Sequence, residues 1–197
     1  QELPEVLKTT PGVWATKDGG GFGDAKINMR GFQSANVAVL VNGIPVNDME
    51  GGWVYWSNWA GLGDVASNIQ TQRGLGAAIL SAPSIGGTIN ITTRSLDAKR
   101  GGSVFYGFGN DGLNNIGMNV STGLMKNGWA ITLQGARRWG DGYIQGTDFN
   151  SYSYFLNISK RINDRHQLSL TAFGAPQNHN KRSSQDGLTI MEYQTYA

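Results

Sequence analysis

The chain has 197 residues, a formal net charge of +2 and no cysteine. That length suits one ordinary domain or two small ones, the charge is too small to argue for nucleic acid, and disulfides, thiolate metal sites and cysteine nucleophiles are excluded. Charged residues are 15% of the chain, against roughly 25% in an average soluble domain, while glycine reaches 29 residues and hydrophobic residues 39%. This is unlike a cytosolic enzyme, and it is not disorder either, because there is enough apolar surface to bury or to turn toward lipid. No run approaches the ~18 apolar residues of a transmembrane helix. Barrel strands escape that test because their side chains alternate. The opening "QELPEVLKTTPGV" carries no signal-peptide pattern, which fits a mature or truncated start.

Residues 1–95 read as a compact α/β unit. "ELPEVLKTTPGV" predicts a short amphipathic helix with Leu3, Val6 and Leu7 on one face, ended by Pro11-Gly12. "AKINMRGF" predicts a short strand. Val37 to Val41 is a stronger one, and Asn42-Gly43 turns it into Ile44-Pro45-Val46, Asn-Gly being a strong tight-turn signal. "LGDVASNIQTQR" predicts a short helix or turn leading into a strand at Ile69 to Gln72. A loop of small residues then feeds a β-branched strand within Gly86 to Arg94.

From residue 101 to 175 the period becomes 2. Ile116, Met118, Val120, Thr122 and Leu124 share one face. Trp129, Ile131 and Leu133 follow, then Tyr152, Tyr154, Leu156 and Ile158, then Leu168, Leu170 and Ala172. With "GSVFYGFG" this gives about five strands, most near the ~9–11 residues of a tilted membrane strand. The opposite faces are Gly, Ser, Asn and Gln with few charges, which suits a crowded barrel lumen better than open water. Connections alternate between tight ("MKNG", "NDR") and longer ("GDGYIQGTDFN", and the polar run from Pro176). Trp129 then falls near one membrane edge, and Trp139, Tyr152 and Tyr154 near the other. A soluble antiparallel sheet with one wet face is the competing reading.

The run "INMRGFQSANVAVLVNGIPVND", followed by "IQTQRGLGAAILSAPSIGGTINITTRS", resembles the plug domain of TonB-dependent outer-membrane receptors. Asn42 stands where that family usually has Asp, and Leu75 where it has Pro. The resemblance implies an α+β plug domain over 1–95, a hinge at 96–101, and antiparallel transmembrane β-barrel strands over 102–197. These would be part of a barrel of about 22 strands. About five strands cannot close a barrel, and an open edge is not viable in lipid, so the chain is expected to be a fragment of a longer receptor. The family imports a scarce ligand (siderophore, haem, cobalamin, oligosaccharide or peptide) with energy from TonB, which engages a TonB box by strand addition. A passive barrel or adhesin is the alternative.

The resemblance also implies roles for single residues. Arg30 and Arg73 are the plug's two motif arginines, expected to pair with wall carboxylates and lock the plug. Trp53, Tyr55, Trp56 and Trp59 form the densest aromatic cluster, a candidate ligand platform or a packing surface. Gln33, Ser34, Ser81 and Ala82 sit at the other two candidate apices. Arg137, Arg138, Lys181 and Arg182 fall at the outer rim, where lipopolysaccharide phosphates are candidate partners. "GGGFGD" and "GLGAAI" lack the context of a nucleotide loop. His166 and His179 have no partner at metal spacing. No catalytic set stands out, and no cofactor, metal or enzymatic activity is expected.

Overall fold

The computed structural model describes residues 3–17, 22, 25–74 and 84–180. They form two compact units. One draws on residues 3–17, 25–56, 62–74 and 84–93; the other on residue 22, 57–61 and 94–180.

The first unit opens with helix α1 (Leu3–Leu7), which buries Leu3, Pro4 and Leu7. Val6 is exposed, contrary to expectation, because a helix of little more than one turn presents only one narrow face. Strand β1 (Val13–Lys17) follows and pairs antiparallel with β2 (Ala25–Met29). The β1 strand was not foreseen: five residues after a Pro-Gly break are too few to display a period. A single 3-10 turn at Ser34–Asn36 leads into β3 (Val37–Val41), whose five apolar residues are all buried. Asn42 and Gly43 both take left-handed backbone (φ 52° and 81°), the tight turn expected, and the chain returns as β4 (Ile44–Pro45).

Helix α2 (Leu62–Val65) runs directly into β5 (Ala66–Arg73), which pairs antiparallel with β6 (Gly87–Thr93). The β5 strand begins three residues earlier than its β-formers suggest. Pairing with β6, through an irregularity between Ala66 and Asn68, carries these weak β-formers into the ladder. The sheet order is β4-β3-β6-β5, and β3 and β6 are parallel. Central parallel strands are buried on both faces, so β3 reads as a continuous apolar run. Each fully buried Val, Leu or Ile contributes about 1.5–3 kcal/mol, and Val37, Leu40, Ile89 and Ile91 are all in that class.

The second unit is a meander of β7 (Gly101–Phe108), β8 (Asn114–Ser121), β9 (Trp129–Gly140), β10 (Phe149–Arg161) and β11 (Gln167–Gly174), each antiparallel to the next. The short β12 (Gln177–His179) also pairs with β10, beyond the end of β11 and in the same register. Pro176 has no N–H to give, yet its carbonyl accepts from the Tyr152 N–H at 2.9 Å. Thus β11 and β12 are one strand crossing a proline, where the sequence suggests a polar loop.

Burial in this sheet is inverted. On β9 and β10 the buried side chains include Thr132, Gln134, Ser151, Ser153, Asn157 and Ser159, while Leu133, Tyr152 and Tyr154 on the opposite face are exposed. Val104, Ile116, Met118, Val120, Leu168 and Leu170 are exposed as well. The buried polar groups satisfy one another. Asn157 Nδ2 donates to Ser169 Oγ (2.9 Å) and Thr171 Oγ1 (2.8 Å), and Ser159 Oγ donates to Asn157 Oδ1 (2.7 Å). Residues 57–61 lie on this polar face: the Ser153 side chain stands where a Cβ on Gly61 would go, and Trp59 meets Phe173 at 5.2 Å between ring centroids.

Candidate ligand-facing surface and motif arginines

An asparagine and an aspartate side chain build the aromatic loop that follows β4. Asn47 continues the ladder along β3 where the backbone leaves it. Its Oδ1 accepts from the Val39 N–H (2.8 Å), and its Nδ2 donates to the Val37 and Gly52 carbonyls (3.0 and 2.8 Å). The Asp48 carboxylate accepts from the N–H groups of Gly51 (2.6 Å), Trp53 (2.8 Å) and Glu50 (2.9 Å). The Gly51 bond foremost holds its pKa below the ordinary carboxylate value, against an opposing contribution from desolvation. Sequence reasoning passed over this pair, although Asn-Asp shortly before a Gly pair is a turn signal of its own.

The clip displays Met49, Trp53 and Tyr55. Trp53 is 37% exposed and Tyr55 56%, whereas Trp56 is 5% exposed. Trp56 therefore leaves the candidate platform, its faces being taken up by protein. Trp59 is half-buried, with one face against Phe173. Gln33 is exposed. The Ser34 hydroxyl is spent on β2: it accepts from the Ile27 N–H (2.9 Å) and donates to the Ile27 carbonyl (2.7 Å), a structural stitch that leaves little for a ligand. Ser81 and Ala82 lie outside the described residues, as do Lys181 and Arg182.

Arg30 and Gly31 form a left-handed tight turn (φ 54° and 82°), closed by bonds of 3.0 and 2.9 Å between Met29 and Phe32. Left-handed backbone costs a non-glycine residue roughly 1–2 kcal/mol. The turn is held by the Arg30 N–H on the Gly12 carbonyl at 2.8 Å. The guanidinium reaches Gly74, with Nη1 2.9 Å from where a Cβ there would sit. Gly74 directly follows Arg73, so the fold brings the two motif segments together. No acidic partner of Arg30 stands among the described residues.

The departure at Asn42 has a visible use. Its Oδ1 accepts from the Thr93 N–H (2.9 Å), and its Nδ2 donates to Thr93 Oγ1 (2.9 Å). The Thr93 hydroxyl also lies 3.2 Å from Asn42 Oδ1 as a donor, so a carboxylate here could accept from both Thr93 groups but could not donate to the hydroxyl as Nδ2 does.

Both edges of the second unit's apolar face carry aromatic residues with a cation over them. Lys160 Nζ lies 4.9 Å from the Trp129 ring. At the other end Arg137 lies 4.6 Å from Trp139 and 5.3 Å from Tyr152, and its Nε donates to Asn150 Oδ1 at 3.0 Å. Arg138 is on the polar face. His179 lies in β12 rather than a loop, its ring 5.7 Å from Phe22, which itself stacks on Phe149 at 4.4 Å. Among the described residues no group of three or more His, Asp or Glu side chains could hold a metal.

A mixed sheet with a buried apolar core, followed in sequence by a meander that buries its polar face, is the build of a plug-type domain followed by strands of an outer-membrane β-barrel. Comparison with known proteins agrees. The family model described as TonB-dependent Receptor Plug Domain matches residues 1–88. The vitamin B12 transporter BtuB of Vibrio vulnificus (strain CMCP6) is 28% identical over 171 residues, 83% of this chain and 28% of that protein. The protein of the same name from Vibrio cholerae serotype O1 (strain ATCC 39541) is 36% identical over 107 residues, 54% of this chain and 17% of its own length. Among solved structures, the FrpB iron transporter from Neisseria meningitidis superposes with a TM-score of 0.72 at 18% identity, covering 96% of this chain and 31% of that one.

The chain is similar to a stretch of the TonB-dependent outer-membrane receptors, a plug followed by part of a β-barrel wall, and residues 1–88 are the part that the plug family model matches. It spans under a third of the length of the curated relatives it matches.

Proposed function

We propose that the protein containing this chain binds a scarce nutrient outside the cell and imports it with energy delivered by TonB. The observation that carries the reading is the inverted burial of β7–β12, directly after a plug fold. Such a wall is unstable in water and suits lipid outside with a filled lumen inside. The relatives named above are transporters, two of them of vitamin B12 and one of iron, and no catalytic role is proposed here. We assign residues 1–95 to the plug, 96–101 to the hinge and 102 onward to the wall.

The ligand surface we assign to Gln33, Trp53, Tyr55 and Trp59, together with Ser81 and Ala82. Arg30 and Arg73 serve as the lock, pairing with acids of the wall. Arg137, framed by two rings on the lipid side, contacts lipopolysaccharide phosphate. TonB engages through a TonB box outside this chain.

The test is uptake by cells expressing the complete receptor. A panel of ferric siderophores, haem, cobalamin, oligosaccharides and peptides is offered with and without a protonophore. Accumulation that collapses with the proton gradient, while surface binding persists, supports active import. Accumulation that is indifferent to the protonophore and to loss of TonB would establish the passive barrel instead.

A further inference from the structure

The two ends of the wall differ in charge. At the end holding residues 94–100, 122–128 and 160–166, seven cations (Arg94, Lys99, Arg100, Lys126, Lys160, Arg161 and Arg165) stand against Asp97 and Asp164. At the opposite end, residues 109–113, 141–148 and 175–180 hold Asp111, Asp141 and Asp148, and the cations among the described residues there are Arg137 and Arg138 near the end of β9. The segments that carry the seven cations adjoin one another in a strip. Arg100 packs against Gly123, with its Cβ 3.2 Å from where a glycine Cβ would be. Lys160 Nζ donates to the Asn127 carbonyl at 2.6 Å, and the Arg161 N–H to the Gly128 carbonyl at 2.8 Å. Shallow grooves run between residues 96–100 and 122–126, and between 124–128 and 160–163. Among the described residues none of the seven cations is ion-paired.

The strip borders the apolar face. Lys160 is the joint: its stem rises from the row of Tyr154, Leu156 and Ile158, and its ammonium lies over Trp129 and the Asn127 carbonyl. An apolar band, an aromatic ring at its edge and cations just past it reproduce in order the layers of a bilayer leaflet: chains, interface, headgroups. Long cationic side chains reach from the interface into that headgroup layer.

We propose that this basic collar binds the phosphate headgroups of anionic phospholipids in the leaflet it faces, fixing the depth of the wall in the membrane. The proposal rests on the membrane-wall reading and is independent of which nutrient is carried. Lys126, Lys160 and Arg165 make the contacts, the first and last from exposed turns and the second from the lipid-facing row.

The experiment places the complete receptor in nanodiscs of phosphatidylethanolamine with spin-labelled phosphatidylglycerol or spin-labelled phosphatidylcholine. Electron paramagnetic resonance then gives the motionally restricted fraction of each. Each cation near a headgroup layer is worth roughly a fivefold preference at most, and screening reduces it. We expect phosphatidylglycerol to be preferred about three- to fivefold over phosphatidylcholine. The preference should approach unity in the Lys126→Gln, Lys160→Gln, Arg165→Gln triple variant, and fall in 0.5 M salt. Heat-modifiability on gels checks that the variant barrel is assembled, and single variants serve if it is not. Equal restriction of both lipids by the wild type, or an undiminished preference in the assembled variant, overturns the proposal. So does full competition by inorganic phosphate, which would mark an ion site rather than a lipid surface. Ligand uptake should be unchanged in the variant, so failure of the collar and failure of the transport reading are separable.

Discussion

In the plug sheet, β3 buries five apolar residues in a row. In the wall, β10 buries Phe149, Ser151, Ser153, Phe155, Asn157 and Ser159 and turns Tyr152, Tyr154, Leu156 and Ile158 outward. The same strand chemistry serves two opposite solvents. The plug sheet gathers its apolar groups inside, as a fold that meets polar surroundings does. The wall faces hydrocarbon, so there is nothing to gain by hiding leucine. What must be hidden is anything that wants a hydrogen bond, and those groups are given partners on the polar face. Periodicity reports that two faces differ; only the company of each face reports which one is wet.

The comparison can be broken from either side. The largest effect is expected at Ile91, which is 0% exposed at the centre of the plug sheet. Ile91→Ala removes buried methyls from a packed site and should cost the plug about 2–5 kcal/mol. Limited proteolysis of the complete receptor should then cut within residues 1–93 while the barrel stays heat-modifiable. A comparable loss belongs to the wall. Leu133→Arg, midway between Trp129 and Trp139, should cost about 2–4 kcal/mol in lipid and deplete the assembled, heat-modifiable barrel. Ile44→Arg, a similarly exposed apolar position in the plug, should leave assembly unchanged. If both substitutions were silent, Leu133 would face water and the sheet would not be a membrane wall.

Smaller effects sharpen the contrast. Asn157→Ala leaves Ser159, Ser169 and Thr171 short of partners in the polar face, and should cost about 1–3 kcal/mol, read as a lower temperature of barrel unfolding. Trp53→Ala should weaken ligand binding about two- to tenfold, the range of a stacking contact, without altering plug proteolysis. Last, the Asp48 clip gives a pH dependence of known sign. Its carboxylate pKa is lowered in the fold, so its contribution is complete above the ordinary carboxylate range and is lost as pH falls through the lower, folded-state value. Fluorescence of Trp53, taken as the difference from Trp53→Phe, should stay constant through mild acid and change only below it. Asp48→Asn should abolish that transition.

Much of this fold was legible. The run Val37 to Val41, the Asn42-Gly43 turn and the five alternating strands carry strong local signals, and the structure follows them. Short or interrupted elements were not legible. The β1 strand is too brief to show a period, and β12 lies behind Pro176, which reads as a stop although only one ladder bond is lost there. The site was less readable than the fold. Trp53 lies in irregular chain and Trp56 opens a single 3-10 turn (Trp56–Trp59) too short to show a period, so only the structure separates the open ring from the buried one. Ser34 reads as an apical hydroxyl, and its bonds to Ile27, across the intervening tight turn, are invisible to pattern.

The parallel pairing of β3 with β6 has a mechanical consequence. A pull entering from the N-terminal side reaches the sheet at Val37, the start of β3, and is resisted where β6 leaves the sheet at Thr93. In two parallel neighbours those are opposite ends. The bonds between them are therefore loaded together, in shear, rather than opened one after another like a zip. The β1–β2 pair lies upstream and is not part of that ladder, so under tension it gives way first. The Asn42–Thr93 bonds sit at the loaded end of the shear joint, which makes the plug a tether with a weak leader and a strong knot.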